Sequence, residues 1–218
     1  MPEIQYQLIK SKRKTIAIQI RSGVVVVRAP TYASTSLIER IVQEKNVWIQ
    51  KRLTEIKVVP RSKQFVAGES FLYLGTSLQL SVSDEYFRGV RFSAEMLTLS
   101  KYFVHKARAM LESWYKDKAF MVLRERLDYY SSVTGLSFKT MGISSAGGRW
   151  GSCSNKQAIR FSWRLVQLPL WVVDYVVIHE LVHTRFSNHR AGFWNLVHTL
   201  CPKAQDAKKF LHSFHHQW

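Results

Sequence analysis

The sequence predicts an α+β protein. Residues 1–100 read as a β-rich N-terminal subdomain with one helix. Residues 101–218 read as a second domain in which a histidine-bearing helix packs on a small mixed or antiparallel sheet. Three observations carry this. Residues 4–28 and 64–99 hold short apolar runs, punctuated in the second stretch by Gly68, Gly75 and Gly89. Residues 101–132 contain no Gly or Pro and keep helical spacing. The composition, 46% hydrophobic and 22% charged, suits a chain that buries a core and argues against wholesale disorder.

The elements follow in order. Thr15 to Ile20 alternates with period two, and Arg21-Ser22-Gly23 is a turn signal. Val24 to Val27 is a β-branched run that Ala29-Pro30 ends. Ser36 and Glu39 form a capping-box pattern. From there Leu37, Ile38, Ile41, Val42, Trp48, Ile49, Leu53 and Ile56 mark one helix, closed by Pro60 and a basic loop. Short strands return at 71–74, 77–82, 90–92 and 96–99. After the helix over 101–132, Gly135 is placed for a C-cap. Strands are expected around 138–143 and 158–165, flanking a Gly- and Ser-rich stretch. Pro169 opens a helix running to about Thr184, and two further helices cover about 190–200 and 203–214, separated by Pro202.

Thirty-two Lys and Arg against fifteen Asp and Glu make the chain +17. The excess is spread: fifteen basic and eight acidic residues in 1–100, seventeen and seven in 101–218. Such a field attracts polyanions, so nucleic acid or another polyanion is a candidate partner, as is a nucleotide substrate. Two cysteines, Cys153 and Cys201, exclude a disulfide scaffold. No apolar run reaches the roughly 18 residues of a membrane span, so no membrane association is expected. The N-terminal segment, with Glu3 and no apolar centre, does not read as a secretory signal, and a cytoplasmic location is the expectation.

The chemistry concentrates in His179-Glu180-Leu181-Val182-His183. Two histidines four apart on a helix share a face, so both imidazoles reach one metal ion. The glutamate between them can take a proton from water that the metal activates. A plain core helix with two satisfied histidines would leave a buried glutamate with no polar reason to be there. A catalytic zinc takes three protein ligands and keeps one position open. Glu180 is the last glutamate of the chain, so the third ligand is another residue type. His189 is best placed, because Ser187-Asn188 can turn the chain back and Asn tolerates a left-handed backbone. His198 and Asp206 are the alternatives.

The stretch Gly147 to Ser154 fits neither a Walker loop nor a dinucleotide fingerprint. It reads better as an extended edge beside the metal, where backbone groups hold a substrate by strand addition. Arg149, Trp150, Gly151, Ser152 and Arg164 are the candidate substrate-binding residues, the arginines as partners for an oxyanion, carboxylate or phosphate.

These residues resemble a family. Arg149-Trp-Gly-Ser-Cys-Ser154, Trp163-Arg164-Leu165, Pro169, Asp174 through His183, Asn188-His189 and Phe193-Trp194 closely resemble the YgjP-like metallopeptidase family, zincin-like proteins related to the SprT-like and WLM groups. The resemblance extends to Arg13-Lys14-Thr15, Ala29-Pro30, Trp48-Ile49, Gly68-Glu69 and Tyr73-Leu74-Gly75, and so covers nearly the whole chain. It implies a zincin-like catalytic domain, a zinc metallopeptidase with one Zn2+ ion, His179, His183 and His189 as ligands and Glu180 as general base. Phe186 departs from the metzincin spacing, which has glycine there, and no tyrosine follows Tyr175 to stabilise an oxyanion. A polypeptide is the expected substrate. The competing readings are a metal-dependent phosphoanhydride hydrolase acting on nucleotides, and a basic nucleic-acid-binding module with a structural metal.

Overall fold

The computed structural model describes residues 4–21, 24–56 and 63–214. The chain divides into two units, Met1–Arg61 and Ser62–Trp218.

In the first unit, β1 (Tyr6–Ser11), β2 (Ala17–Arg21) and β3 (Val24–Pro30) form a sheet of order β1-β3-β2. β3 runs parallel to β1 and antiparallel to β2. Its valine run places it centrally, where both neighbours satisfy its backbone and Val25, Val27 and Ala29 reach the core. Ile38, Val42 and Ile49 cover that face from α1 (Thr35–Glu44) and α2 (Asn46–Ile56). Here the structure departs from the expected single helix, because the chain breaks at Lys45. The cap also differs. Ser34, not Ser36, is the N-cap, and its Oγ accepts from the Leu37 N–H at 3.3 Å. The expected turn at Ser22-Gly23 and the loop at Pro60 lie outside the described residues.

The second unit begins with β4 (Ser70–Tyr73), β5 (Thr76–Ser83), β6 (Arg91–Ser93) and β7 (Met96–Ser100), in the order β4-β5-β7-β6. This sheet was expected on the other side of a boundary near residue 100. Its apolar face packs within the second unit: Phe71, Leu78, Leu80, Leu97 and Leu99 share one buried cluster with Leu111, Tyr115 and Leu123. Those three belong to α3 (Ala107–Thr134), which follows a 3-10 turn over Lys101–Lys106. The Tyr115 hydroxyl donates to Leu72 O at 2.6 Å, and the Leu74 N–H donates to Val166 O at 2.7 Å. A one-faced sheet must bury that face on something, and here it is α3.

α3 ends at Gly135, left-handed at φ 69°, as its sequence position predicts. A three-stranded mixed sheet follows: β8 (Thr140–Ser144), β9 (Gly151–Cys153) and β10 (Ala158–Ser162), ordered β8-β10-β9. β10 is parallel to β8 and antiparallel to β9, which is the edge. After a 3-10 turn over Trp163–Gln167 come α4 (Leu170–Val182), α5 (Ala191–Leu200) and α6 (Ala204–Ser213). α4 is rich in β-branched residues, which disfavour isolated helices. It is helical because Val172, Val173, Val176, Val177, Ile178 and Val182 are all buried, so tertiary packing overrides propensity. Arg126 of α3 clamps it through a bidentate ion pair with Asp174, Nε–Oδ1 2.6 Å and an Nη2–Oδ2 bond of 2.9 Å. The architecture is thus α+β, with the histidine-bearing helix packed on a small mixed sheet as expected. Among the described residues no helix is long and apolar enough to cross a membrane.

Candidate metal centre

α4 delivers His179, Glu180 and His183 at its C-terminal end. The chain then turns through Thr184–Asn188 and returns His189 to the same place. One ligand nitrogen from each of His179, His183 and His189 lies within 4.8 Å of the other two. The His179 and His189 Nε2 atoms are 3.2 Å apart. The structure therefore brings His189 to the pair on α4, and neither His198 nor Asp206. His198 is exposed with its ring 6.0 Å from Trp194, and Asp206 faces Lys209 at 3.9 Å.

The turn is made without the glycine of the metzincin spacing, and not by a left-handed Asn188, since Asn188 has no positive φ. Instead the Asn188 Oδ1 accepts from the Arg190 N–H at 3.2 Å. Phe186 directs its carbonyl back, where the His183 Nδ1 lies 3.0 Å away. With Nδ1 donating there, His183 presents the lone pair of Nε2 to the centre. The Phe186 ring occupies space that Gly192 leaves: a Cβ on Gly192 would lie 3.1 Å from Phe186 Cε1. Beneath the three imidazoles lies the fully buried Phe193, with ring centroids at 4.9, 4.6 and 4.7 Å from His179, His183 and His189. Trp194 stacks on His189 at 5.6 Å. Phe193 and Trp194 thus pack directly against the imidazoles. The signal for them was their place on the helix that starts just after His189.

Glu180 is buried at 6% exposure among the core residues of α4. It fits because β9 crosses it at a glycine. A Cβ on Gly151 would fall 2.6 Å from both Glu180 Cγ and Oε1, so only glycine allows this approach. Burial pushes the Glu180 carboxyl up to about 7, against the pull of Arg149. Burial, aided by the neighbouring histidines and Lys208, pushes His179 down to about 3. His183 is also lowered, by burial first, with the Phe186 carbonyl opposing.

The donor set fits a cation. Two of the imidazoles are driven toward the neutral form, which has a lone pair to give. Two Nε2 atoms face each other at 3.2 Å, a contact that a shared cation relieves. Three histidine donors with no carboxylate among them suit zinc better than magnesium or calcium.

An open cleft of about 570 Å³ runs from this centre along β9. Its walls include Gly151, Ser152, Cys153, Gln157, Glu180, Thr184 and Arg185. The Ser162 N–H donates to Trp150 O at 2.8 Å, and the Ser154 N–H to Ala158 O at 3.0 Å. Bonding alternates in an antiparallel pair, so Ser152 faces Arg160 across the ladder. The backbone groups of Gly151 and Cys153 face outward along the sheet edge, into the cleft. Of the other expected substrate-binding residues, Arg149 is exposed at the start of this strand and Trp150 is half-buried against Phe214. Arg164 lies elsewhere, its guanidinium 4.3 Å from the Trp163 ring and donating to Ser145 O at 3.1 Å. Arg185, two residues after His183, does line the cleft.

The family profile described as YgjP-like, metallopeptidase domain, matches residues 14–214. No curated protein sequence matches the chain. The solved structure of the metallopeptidase zymogen of Pyrococcus abyssi abylysin is similar over 41% of this chain and 90% of that one, at 21% identity and a TM-score of 0.38.

Proposed function

The chain belongs to the YgjP-like metallopeptidase family, and from that premise we propose that it is a zinc peptidase in which His179, His183 and His189 hold one ion and Glu180 is the general base. Membership makes it a metal-dependent hydrolase; the zinc, the ligand set and the base are our reading. The observation that carries the reading is the convergence of three imidazoles beside a buried carboxyl that β9 approaches closely at Gly151.

Bound zinc supplies Lewis acidity, polarising a carbonyl oxygen and making water acidic enough to deprotonate near neutral pH. Glu180 takes the proton from the attacking water and returns it to the leaving amine nitrogen. The outward backbone groups of Gly151 and Cys153 pair with an extended peptide and lay its carbonyl across the centre. Phe193 and Trp194 keep the ligands in register and keep bulk water from the far side. The phosphoanhydride reading finds less support, because such sites use carboxylates for magnesium and Glu180 is the one carboxylate lining the cleft.

The test is metal analysis of the purified protein, followed by turnover of denatured protein and of nucleoside triphosphates, with Glu180→Gln as control. Zinc near one equivalent and peptide cleavage abolished in the variant support the reading. Triphosphate hydrolysis without peptide cleavage overturns it.

A further inference from the structure

The charge of the cleft has a consequence for what enters it. Between residues 139 and 214 there are ten Lys and Arg against three acids. Asp174 is already held by Arg126, Asp206 faces Lys209 on α6, and Glu180 is buried. Arg149, Lys156, Arg185 and Arg190 are exposed, and no carboxylate lies within 4.0 Å of them among the described residues. Arg185 lines the cleft itself, while Lys156 sits between the lining residues Asn155 and Gln157, and Arg190 next to the lining residue His189. Their placement follows the strand. Arg149 precedes Gly151 by two residues. Lys156 lies in the turn that follows Cys153, and Gln157 of that turn donates from Nε2 to Thr184 O at 3.4 Å. That bond brings the turn beside the end of α4, where Arg185 lines the cleft. Arg190 follows His189 at the start of α5.

We infer that the cleft selects acidic polypeptide segments, with Asp or Glu of the substrate met by Arg149 at one end of β9 and by Lys156 and Arg185 at the other. This rests on the peptidase reading above and names its substrate class. A peptide paired along β9 advances about 3.3 Å per residue, so side chains two or three residues either side of the scissile bond reach these cations. The cations are exposed, so the selectivity is of the long-range, salt-sensitive kind and acts mainly on binding. Single-stranded nucleic acid is the poorer occupant. Such sites stack bases on aromatic rings, and among the described residues the cleft walls carry no Phe, Tyr or Trp.

The test uses the zinc-loaded 218-residue chain and matched peptides with one common centre, flanked by Asp/Glu, by Ser/Gln or by Lys/Arg. Turnover is measured at low salt and at about 0.5 M salt, where screening falls to a few ångströms. Binding of the same peptides to Glu180→Gln is measured by fluorescence anisotropy, with an oligodeoxythymidine as competitor. We expect acid-flanked peptides to exceed neutral ones by about tenfold in kcat/KM. The difference should lie in KM and shrink at high salt, and the double variant Arg149→Glu, Arg185→Glu should reverse the order. Equal binding and turnover of the three series overturns the inference and leaves the peptidase standing. Tight acidic-peptide binding without cleavage of any peptide supports the selectivity and removes the peptidase reading beneath it. Oligodeoxythymidine displacing the acidic peptide at lower concentration than the peptide itself reassigns the cleft charge to nucleic acid.

Discussion

The two sides of the centre are built differently. His179, Glu180 and His183 come from the buried α4, clamped by Arg126 and crossed closely by β9. His189 comes from an exposed turn whose shape depends on one aromatic ring, one glycine and one asparagine side chain. The helix side is held by the many buried side chains of α4 and by the Arg126–Asp174 pair. The turn side is held by a few local contacts, each replaceable. Local opening concentrates where buried contacts are few, so damage to the helix side should appear in chemistry and stability, and damage to the turn side in metal affinity.

Substitutions can break or sharpen that contrast. The largest effect belongs to Glu180→Gln. It should keep the fold and the metal and lower kcat by about a hundredfold or more, the usual scale of general-base assistance, as read by peptide turnover beside metal analysis. Gly151→Ala comes next. Its methyl group would meet Glu180 at 2.6 Å, so either β9 or the carboxyl must move. Overpacking of this kind costs about 1–3 kcal/mol, which thermal unfolding should show, and kcat should drop with metal content unchanged. Phe186→Ala tests the turn. Removing the ring frees the segment that carries the carbonyl partner of His183. Loss of such a supporting contact weakens metal affinity by about ten- to a hundredfold, while kcat of the metal-saturated protein should change little, although the lost packing of the ring on the core lowers the melting temperature. A competition titration with a zinc chelator measures the affinity. If Phe186→Ala and Gly151→Ala behave alike in metal affinity and in kcat, the contrast between the two sides is wrong.

The smallest effect is expected at Arg164, which the sequence marks as a substrate residue and the structure places against Trp163 and Ser145. Arg164→Lys should leave KM for peptides within about twofold, since the residue does not line the cleft.

The helix side was legible in the sequence because its signal is periodic: two histidines and a glutamate on one turn after an unbroken apolar run. His189 was legible too, from spacing and a turn-forming residue. The way the turn is made was not, because the Phe186 ring needs the space at Gly192 six residues on, and no local pattern announces that pairing. The same limit appears in the fold. The strands over 70–100 were legible as strands, but their allegiance depends on which face of α3 receives Phe71 and Leu97. The cap at Ser34 falls where a neighbouring serine gives an equally good pattern, Ser36 with Glu39 against Ser34 alone, and the break at Lys45 has no Gly or Pro beside it to announce it. Arg164 and Arg185 are interchangeable by composition, and only the path of the chain tells which one reaches the cleft.

The central claim is that three histidines from these two differently built sides hold one zinc ion. X-ray absorption at the zinc edge, on wild-type protein and on His189→Ala and His198→Ala, tests it most directly. The account predicts one zinc per chain with nitrogen ligands at about 2.0–2.1 Å, one fewer imidazole in His189→Ala and an unchanged spectrum in His198→Ala. An unchanged spectrum in His189→Ala, with a ligand lost in His198→Ala, would contradict it.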